Sequence, residues 1–569
     1  MTQHVLADDV AEAEVLDRRN AEQDRERFVG RVVSCDGAFA IIHADAVDMG
    51  PGAASYWSIG RLISIDVGNK RIVGLVFNVD LVEADWAKDA NNVLRIKAEL
   101  VGEVSDDEHG RQHFDRGITT YPHLGALAHK IRKTDLAAVH HPMDDDAVKI
   151  GRLSQDGAIA AVVCVEKLLS RHFAVVGTTG VGKSSTVALL LRQVITVKPD
   201  LRVLMFDPHN EYSNAFADCS VTIDNATLDL PFWLFQHEEF AEVVFRGRPR
   251  VEEEVGALGD LIAIAKSNFA SKRQQPNALV KRVLDANPNS GITADTPIPY
   301  RMSDLFALIE EEIGQLEGRY DRVKLRSLKN RLDALVNDPR YRFMFAARTI
   351  EDNLFDVVSQ VFRFPHDNRP ITILQLAGMP TEVVNSVVSV LCRIGFDLAL
   401  WGDGACEVLM LCEEAHRYVP GNVEHGFAPT RQAISRIAKE GRKFGAYLGV
   451  VTQRPGELDA TILSQCSTVF AMRLANDRDQ EIIRSAIADS SVGTISFLSS
   501  IGNREAIAFG EAVMTPMRIK FSDLPYEHVP RAPLFEHAAH RDDTQPGAHV
   551  DLSLIIDRMR AMNRNVVGA

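Results

Sequence analysis

Hydrophobic positions change rhythm several times along the chain, and each change marks an element boundary. From residue 28 to about 140 the apolar residues come in short β-like runs broken by glycine, RFVGRVVSCDGAFAIIHA, GRLISIDVGNKRIVGLVFNV and LRIKAELVGEV, which predict a small β-barrel. Two runs rich in Val follow, HFAVVG and RVLMFD, with a helix-like segment at 184–195 between them. That alternation predicts a parallel βαβ unit. Between about 239 and 346 apolar residues recur at three- and four-residue spacing among charges, as in VEEEVGALGDLIAIAKSNF and YDRVKLRSLKNRLDALVND, the pattern of a helical insertion. Strand-like runs, separated by helices, resume at PITILQLAG, EVLMLCEE, YLGVVTQ and TVFAMRL and continue to roughly residue 521. The predicted plan is a charged leader (1–27), a barrel (28–150), an α/β core in two parts (151–238 and 347–525) split by the insertion (239–346), and a C-terminal arm with a helix (526–569).

Composition narrows this picture. A chain of 569 residues exceeds one ordinary core and suggests roughly two to four domains. Hydrophobic residues at 46% and charged residues at 25% exclude a disordered chain. The leader has no apolar core of a secretory signal, and apolar stretches such as 158–165 are interrupted by charge before the ~20 residues that a membrane span needs. No membrane segment is expected. Seven scattered cysteines without a C-x-x-C pair argue against zinc or a disulfide framework, so a reduced cytoplasmic setting is expected. A net charge of -15 gives no sign of general nucleic-acid affinity, yet a ring can hold a basic channel inside an acidic shell.

The sharpest chemistry lies in Gly177, Thr178, Thr179, Gly180, Val181, Gly182, Lys183, Ser184 and Ser185, where the first eight residues match G-x-x-x-x-G-K-[ST] directly after a predicted strand and at the start of a helix. Such a loop curls backbone N–H groups around phosphates, Lys183 reaches the β- and γ-phosphates, and Ser184 ligates magnesium. ATP and Mg2+ are the expected ligands. At the end of the apolar run 408–412 stand Glu413 and Glu414. In a parallel sheet, acids there face the bound ligand, so Glu413 is assigned to magnesium and Glu414 to polarising the attacking water. Asp207 ends the strand RVLMFD; it is a candidate for the metal or for positioning water, with a plain strand-end turn as the alternative. Gln453 ends LGVVTQ and is a candidate γ-phosphate sensor.

Taken in order, GTTGVGKSS, DPHNEY, LCEEAHRYVP, SRIAKEGRKFGAYLGVVTQRP, ELDATILSQCSTVFAMRL and GEAVMTP resemble the HerA family of hexameric DNA translocases, in the larger group that includes FtsK. The resemblance implies an α/β, RecA-like P-loop ATPase core with an N-terminal small β-barrel (HAS-barrel-like) and a homo-hexameric ring around double-stranded DNA. It further implies a nuclease or other effector protein docked on the barrel, acting in DNA end processing or anti-phage defence. The chain departs from the family pattern at Glu413, where aspartate is frequent, and at Asn210, where glycine usually follows DPH.

Ring ATPases complete the site with a neighbour's arginine. Arg442 is the first candidate, with Arg473 and Arg454 as alternatives. Arg431, Arg436, Lys439 and Lys443 read either as a solvated basic face or as DNA contacts, and the loop 419–430 as a projection into a central channel. Lys324, Arg326, Lys329 and Arg331 read as a solvated helix face. His209, His416, His140 and His141 lack the ligand spacing of a metal site. Two functions stay open at this point: a DNA motor, and an ATP-binding ring scaffold that assembles and regulates an effector enzyme.

Overall fold

The computed structural model describes residues 28–45, 59–83, 92–107, 111–140, 146–154, 156–245, 250–273, 291–315, 318–345, 352–365, 367–422, 424, 426–486 and 498–531. The leader and the C-terminal helix expected at 552–562 lie outside them. The chain forms two compact units: Met1–Val197 with Gln453–Gly456 and Cys466–Asp523, and Lys198–Thr452 with Glu457–Gln465 and Leu524–Ala569.

The first unit opens with the barrel. Strands β1 (Phe28–Cys35), β2 (Phe39–Asp45), β3 (Leu62–Val67), β4 (Lys70–Leu81), β5 (Val93–Asp106), β6 (Gln112–Asp115) and β7 (Leu127–Lys130) run in the order β2-β1-β7-β3-β4-β5-β6. Antiparallel pairing of β2 with β5, from Phe39 opposite Glu99 to Asp45 opposite Val93, closes six of them into a ring. Closure removes the exposed strand edges. Alternate residues such as Ala40, Ile42, Ile63, Ile65, Ile72, Ile96 and Ala98 point inward and fill the barrel, as a period of two requires.

A buried ion cluster pins one side of the barrel. Arg71 on β4 donates Nε and Nη2 to Asp135 at 2.9 and 3.1 Å, and Nη1 and Nη2 to Asp106 at 3.2 and 2.8 Å. Asp135 lies on the helix Lys133–His140 and is fully buried. Arg116, just past β6, donates to the carbonyls of Met514 (2.7 Å), Gly510 (2.8 Å) and Val513, which fixes the barrel to the far end of the same unit.

Beyond the barrel, this unit holds β8 (Ala147–Leu153), β9 (Ala160–Cys164), β10 (Phe173–Val176), β16 (Thr468–Ala471), β17 (Glu505–Gly510) and β18 (Met517–Phe521). β10 pairs parallel with β16; the pairs β16–β17, β17–β18, β18–β8 and β8–β9 are antiparallel.

The second unit carries a parallel sheet in the order β12-β13-β11-β14-β15, built from β11 (Arg202–Asp207), β12 (Ser220–Ile223), β13 (Ile371–Gln375), β14 (Val408–Cys412) and β15 (Ala446–Thr452). β11, β14 and β15 are buried along their whole length, which explains their unbroken apolar text. Helices occupy the stretch between β12 and β13, among them Glu252–Arg273, Met302–Gly314 and Arg322–Val336. The expected fold class, an α/β P-loop core with an N-terminal barrel and helices inserted in it, is the one found.

One helix revises the reading of apolar stretches. Thr381–Trp401 is long and apolar enough to cross a membrane by length and composition, with 67% of its apolar window buried inside the chain. It packs on β14, β15 and the helices His237–Phe245 and Ala428–Glu440. Its polar groups are used internally: Ser389 Oγ and Arg393 Nη2 donate to the Glu239 carboxylate at 2.7 and 3.0 Å. It is a core helix. All seven cysteines are free thiols.

Lys266, buried on Glu252–Arg273, donates to the carbonyls of Ala294 (2.5 Å), Thr296 (2.7 Å) and Trp233 (3.5 Å). Burial pushes its ammonium down from 10.5 to about 8. The unfolded chain therefore keeps this proton over a range where the folded chain has released it, so the lysine's contribution to stability is lowest below about pH 8 and rises towards about pH 10.5. Urea unfolding between about pH 7 and about pH 9.5 should show the wild type gaining on Lys266→Met as pH rises. A difference that stays constant would contradict the burial of the charged head.

Candidate nucleotide site

In the first unit the chain leaves fully buried β10 and turns at once into the glycine loop. A Cβ on Gly177 would meet Met472 Cβ at 2.7 Å, and Gly180 and Gly182 hold φ of +79° and +101°, left-handed values that glycine adopts without steric cost. The helix Lys183–Val197 starts immediately afterwards. The loop is fastened at several points. Thr178 donates from N and Oγ1 to Arg473 O at 3.0 and 3.2 Å, and Lys183 Nζ donates to Thr178 O at 3.1 Å. Thr179 Oγ1 donates to Gln453 Oε1. Gln453 thus reaches the loop, while Ser184 and Ser185 are half-buried in the first helical turn.

The glycine positions, the lysine and the helix start together make an anion cradle. That chemistry fits a nucleotide polyphosphate, and the hydroxyl of Ser184 is the hard oxygen donor that magnesium accepts.

In the second unit, β14 delivers Glu413 and Glu414 at its carboxyl end, both buried. Glu413 N–H donates to Phe206 O at 3.3 Å, and its Oε2 accepts from Tyr212 Oη at 3.1 Å. Glu414 has φ +52° and begins the turn Ala415–Arg417. Its carboxylate lies between two imidazoles, with His209 Nε2 3.6 Å from Oε1 and His416 Nδ1 3.4 Å from Oε2. His416 Nδ1 is also 3.0 Å from Thr452 Oγ1. Among the described residues Glu414 Oε2 is buried without a hydrogen-bond partner, the condition of a carboxylate oxygen available to a water. Neither histidine was given a role from sequence; the spacing in DPHNEY and EEAH holds both, but only the fold brings them to one carboxylate.

Asp207 is fully buried, and its oxygens accept N–H groups of its own turn, from His209 at 3.2 Å and Tyr212 at 3.1 Å. Burial raises its carboxyl above the usual carboxylate range, against those backbone hydrogen bonds. This is the geometry of the strand-end turn weighed as its alternative. Asn210 in that turn is left-handed, φ +55°, a conformation that asparagine shares with the glycine usual there.

The basic candidates separate by their contacts. Arg442 is exposed on the turn Gly441–Lys443 that follows Ala428–Glu440. Arg436 stacks over the Phe396 ring at 4.1 Å and lies 3.6 Å from Asp397. Arg473 donates to Asn503 Oδ1 at 3.0 Å, and Arg454 is exposed. The start of the loop 419–430 is pinned: Asp459 N–H donates to Val419 O at 2.9 Å and Gly421 N–H to Glu457 O at 2.8 Å. Lys324, Lys329 and Arg331 pair with Glu253, Glu310 and Glu254 on neighbouring helices, as a solvated face does.

A family model described as the central domain of helicase HerA matches residues 148–394. A probable helicase of Methanocaldococcus jannaschii is 26% identical over 386 residues, covering 66% of each chain. The DNA double-strand break repair helicase HerA of Pyrococcus furiosus is 24% identical over 461 residues, covering 75% of this chain and 76% of that one. Among solved structures, VirB4 of Thermoanaerobacter pseudethanolicus aligns with 68% of this chain and 98% of that one, at 16% identity and a TM-score of 0.45. The central-domain model runs through the glycine loop, and the relatives extend the match over most of the chain: it is a P-loop ATPase similar to the HerA helicases.

Proposed function

We propose that the chain hydrolyses ATP to move along double-stranded DNA, as a ring of six copies in a cytoplasmic setting, with a nuclease or other effector protein docked on its barrel. The observation that carries this reading is the glycine loop, whose positive φ angles at Gly180 and Gly182 and close packing at Gly177 suit a backbone curled around phosphate. Lys183 neutralises the terminal phosphates. Ser184 and Glu413 would hold magnesium, with Tyr212 donating to the Glu413 carboxylate. The metal, when bound, supplies charge compensation for the β- and γ-phosphates. Glu414 accepts the proton of the attacking water, and Gln453, tied to Thr179, orients it. Arg442, exposed at a turn, supplies the cation that a neighbouring copy needs. The DNA substrate is supported by relatives named as DNA double-strand break repair helicases.

Steady-state ATP hydrolysis with and without linear duplex DNA tests the reading. Duplex should stimulate hydrolysis, the stimulation should fall steeply as salt rises because phosphate contacts release counterions, and Lys183→Ala should abolish both. A rate indifferent to duplex would remove the motor and favour the regulatory scaffold.

A further inference from the structure

The turn that leads into β17, residues 502–505, is built onto the phosphate loop of its own unit by two independent routes. Arg504 N–H donates to Val181 O at 2.9 Å, and Arg504 O accepts from Phe521 N–H at 3.0 Å. Next to it, Asn503 Oδ1 accepts from Arg473 Nη2 at 3.0 Å, and the Arg473 carbonyl is the group that holds Thr178.

Arg504 itself sits at φ +61°. A long side chain is uncommon there, and such a conformation persists only where the surroundings over-determine it. Its side chain lies against the loop: a Cβ on Gly182 would come within 3.1 Å of Arg504 Cγ. The guanidinium ends 2.5 Å from Asp523, whose side chain is 85% exposed. An ion pair in that much water contributes little, so the cation at the rim of the loop is weakly held.

We propose that Arg504 gives up Asp523 when nucleotide binds and contacts its polyphosphate from the same chain, as a second cation beside Lys183. This rests on the glycine loop being the nucleotide site. Guanidinium–phosphate hydrogen bonds are charge-assisted and two-pronged, so the exchange replaces a weak solvated partner with a stronger one. No local pattern points to it, because Arg504 follows the loop by more than three hundred residues and belongs to no motif.

Equilibrium binding of ATP, ADP and adenosine to the full chain, alongside thermal melting without ligand, tests the assignment. Arg504→Gly suits the backbone, so its melting temperature should equal or exceed that of the wild type. Its affinity for ATP should fall by about tenfold, its affinity for adenosine should not change, and Arg504→Lys should lie between. Asp523→Asn should bind ATP at least as tightly as the wild type. Unchanged ATP affinity in Arg504→Gly, or an equal loss for adenosine, overturns the proposal. Failure of the wild type to bind ATP at all overturns the nucleotide site and this proposal with it.

Discussion

Glu414→Gln should lower kcat for ATP hydrolysis by about 10² to 10⁴ while ATP affinity stays near that of the wild type. The substitution keeps shape but removes the carboxylate proposed to accept the proton of the attacking water. It is placed where the fold will tolerate it. Glu414 caps a short turn, its carbonyl accepting from Arg417 N–H at 2.9 Å, and the amide keeps the flanking imidazoles of His209 and His416 within reach. Glu413→Gln should behave differently, because the Glu413 carboxylate already has Tyr212 as a partner and is assigned to the metal; its defect should be relieved in part by raising magnesium. Hydrolysis and binding measured on the same preparations separate the two roles. Undiminished kcat in Glu414→Gln would remove this residue from the chemistry.

The second large effect is one of stability. Arg71→Met should weaken the barrel by about 3–5 kcal/mol, because it leaves Asp135 as a buried charge without its counter-ion. The pair is bidentate on both sides and Asp135 has no access to water, so solvent cannot take the arginine's place. Hydrogen exchange in β4 and β5 reads the barrel without requiring the whole chain to unfold in one step. The double variant Arg71→Met with Asp135→Leu should recover much of the loss, since replacing both charges by apolar groups avoids the stranded one. Protection in Arg71→Met equal to the wild type would show that the cluster contributes nothing to the barrel.

Local signals were the legible ones. The glycine loop could be read because its residues are contiguous and their conformation is dictated by what glycine alone permits. The runs RVLMFD, EVLMLCEE and YLGVVTQ appear as β11, β14 and β15 because burial on both faces leaves a continuous apolar text. The helix Thr381–Trp401 falls between PITILQLAG and EVLMLCEE, where one was expected, but its burial was not legible: Arg393 interrupts the apolar pattern and is absorbed by Glu239 from a distant helix. The same distance hid the seat of the two histidines, whereas the turn of Asp207 onto its own backbone is local and was open to sequence as an alternative.

By itself, then, the sequence determined the class of chemistry, through a phosphate loop and an acidic strand end whose geometry is set by near neighbours, and it determined which stretches would be barrel, sheet and helix. The tertiary structure decided how the barrel closes, through β2 and β5, and how β8 comes to lie beside β18. It also decided which side chains surround Glu414 and that Arg504 lies on Gly182. Periodicity tells each strand which face to bury. Its partner is chosen only when the whole chain folds, because strand pairing and side-chain contacts join residues with no local signal in common.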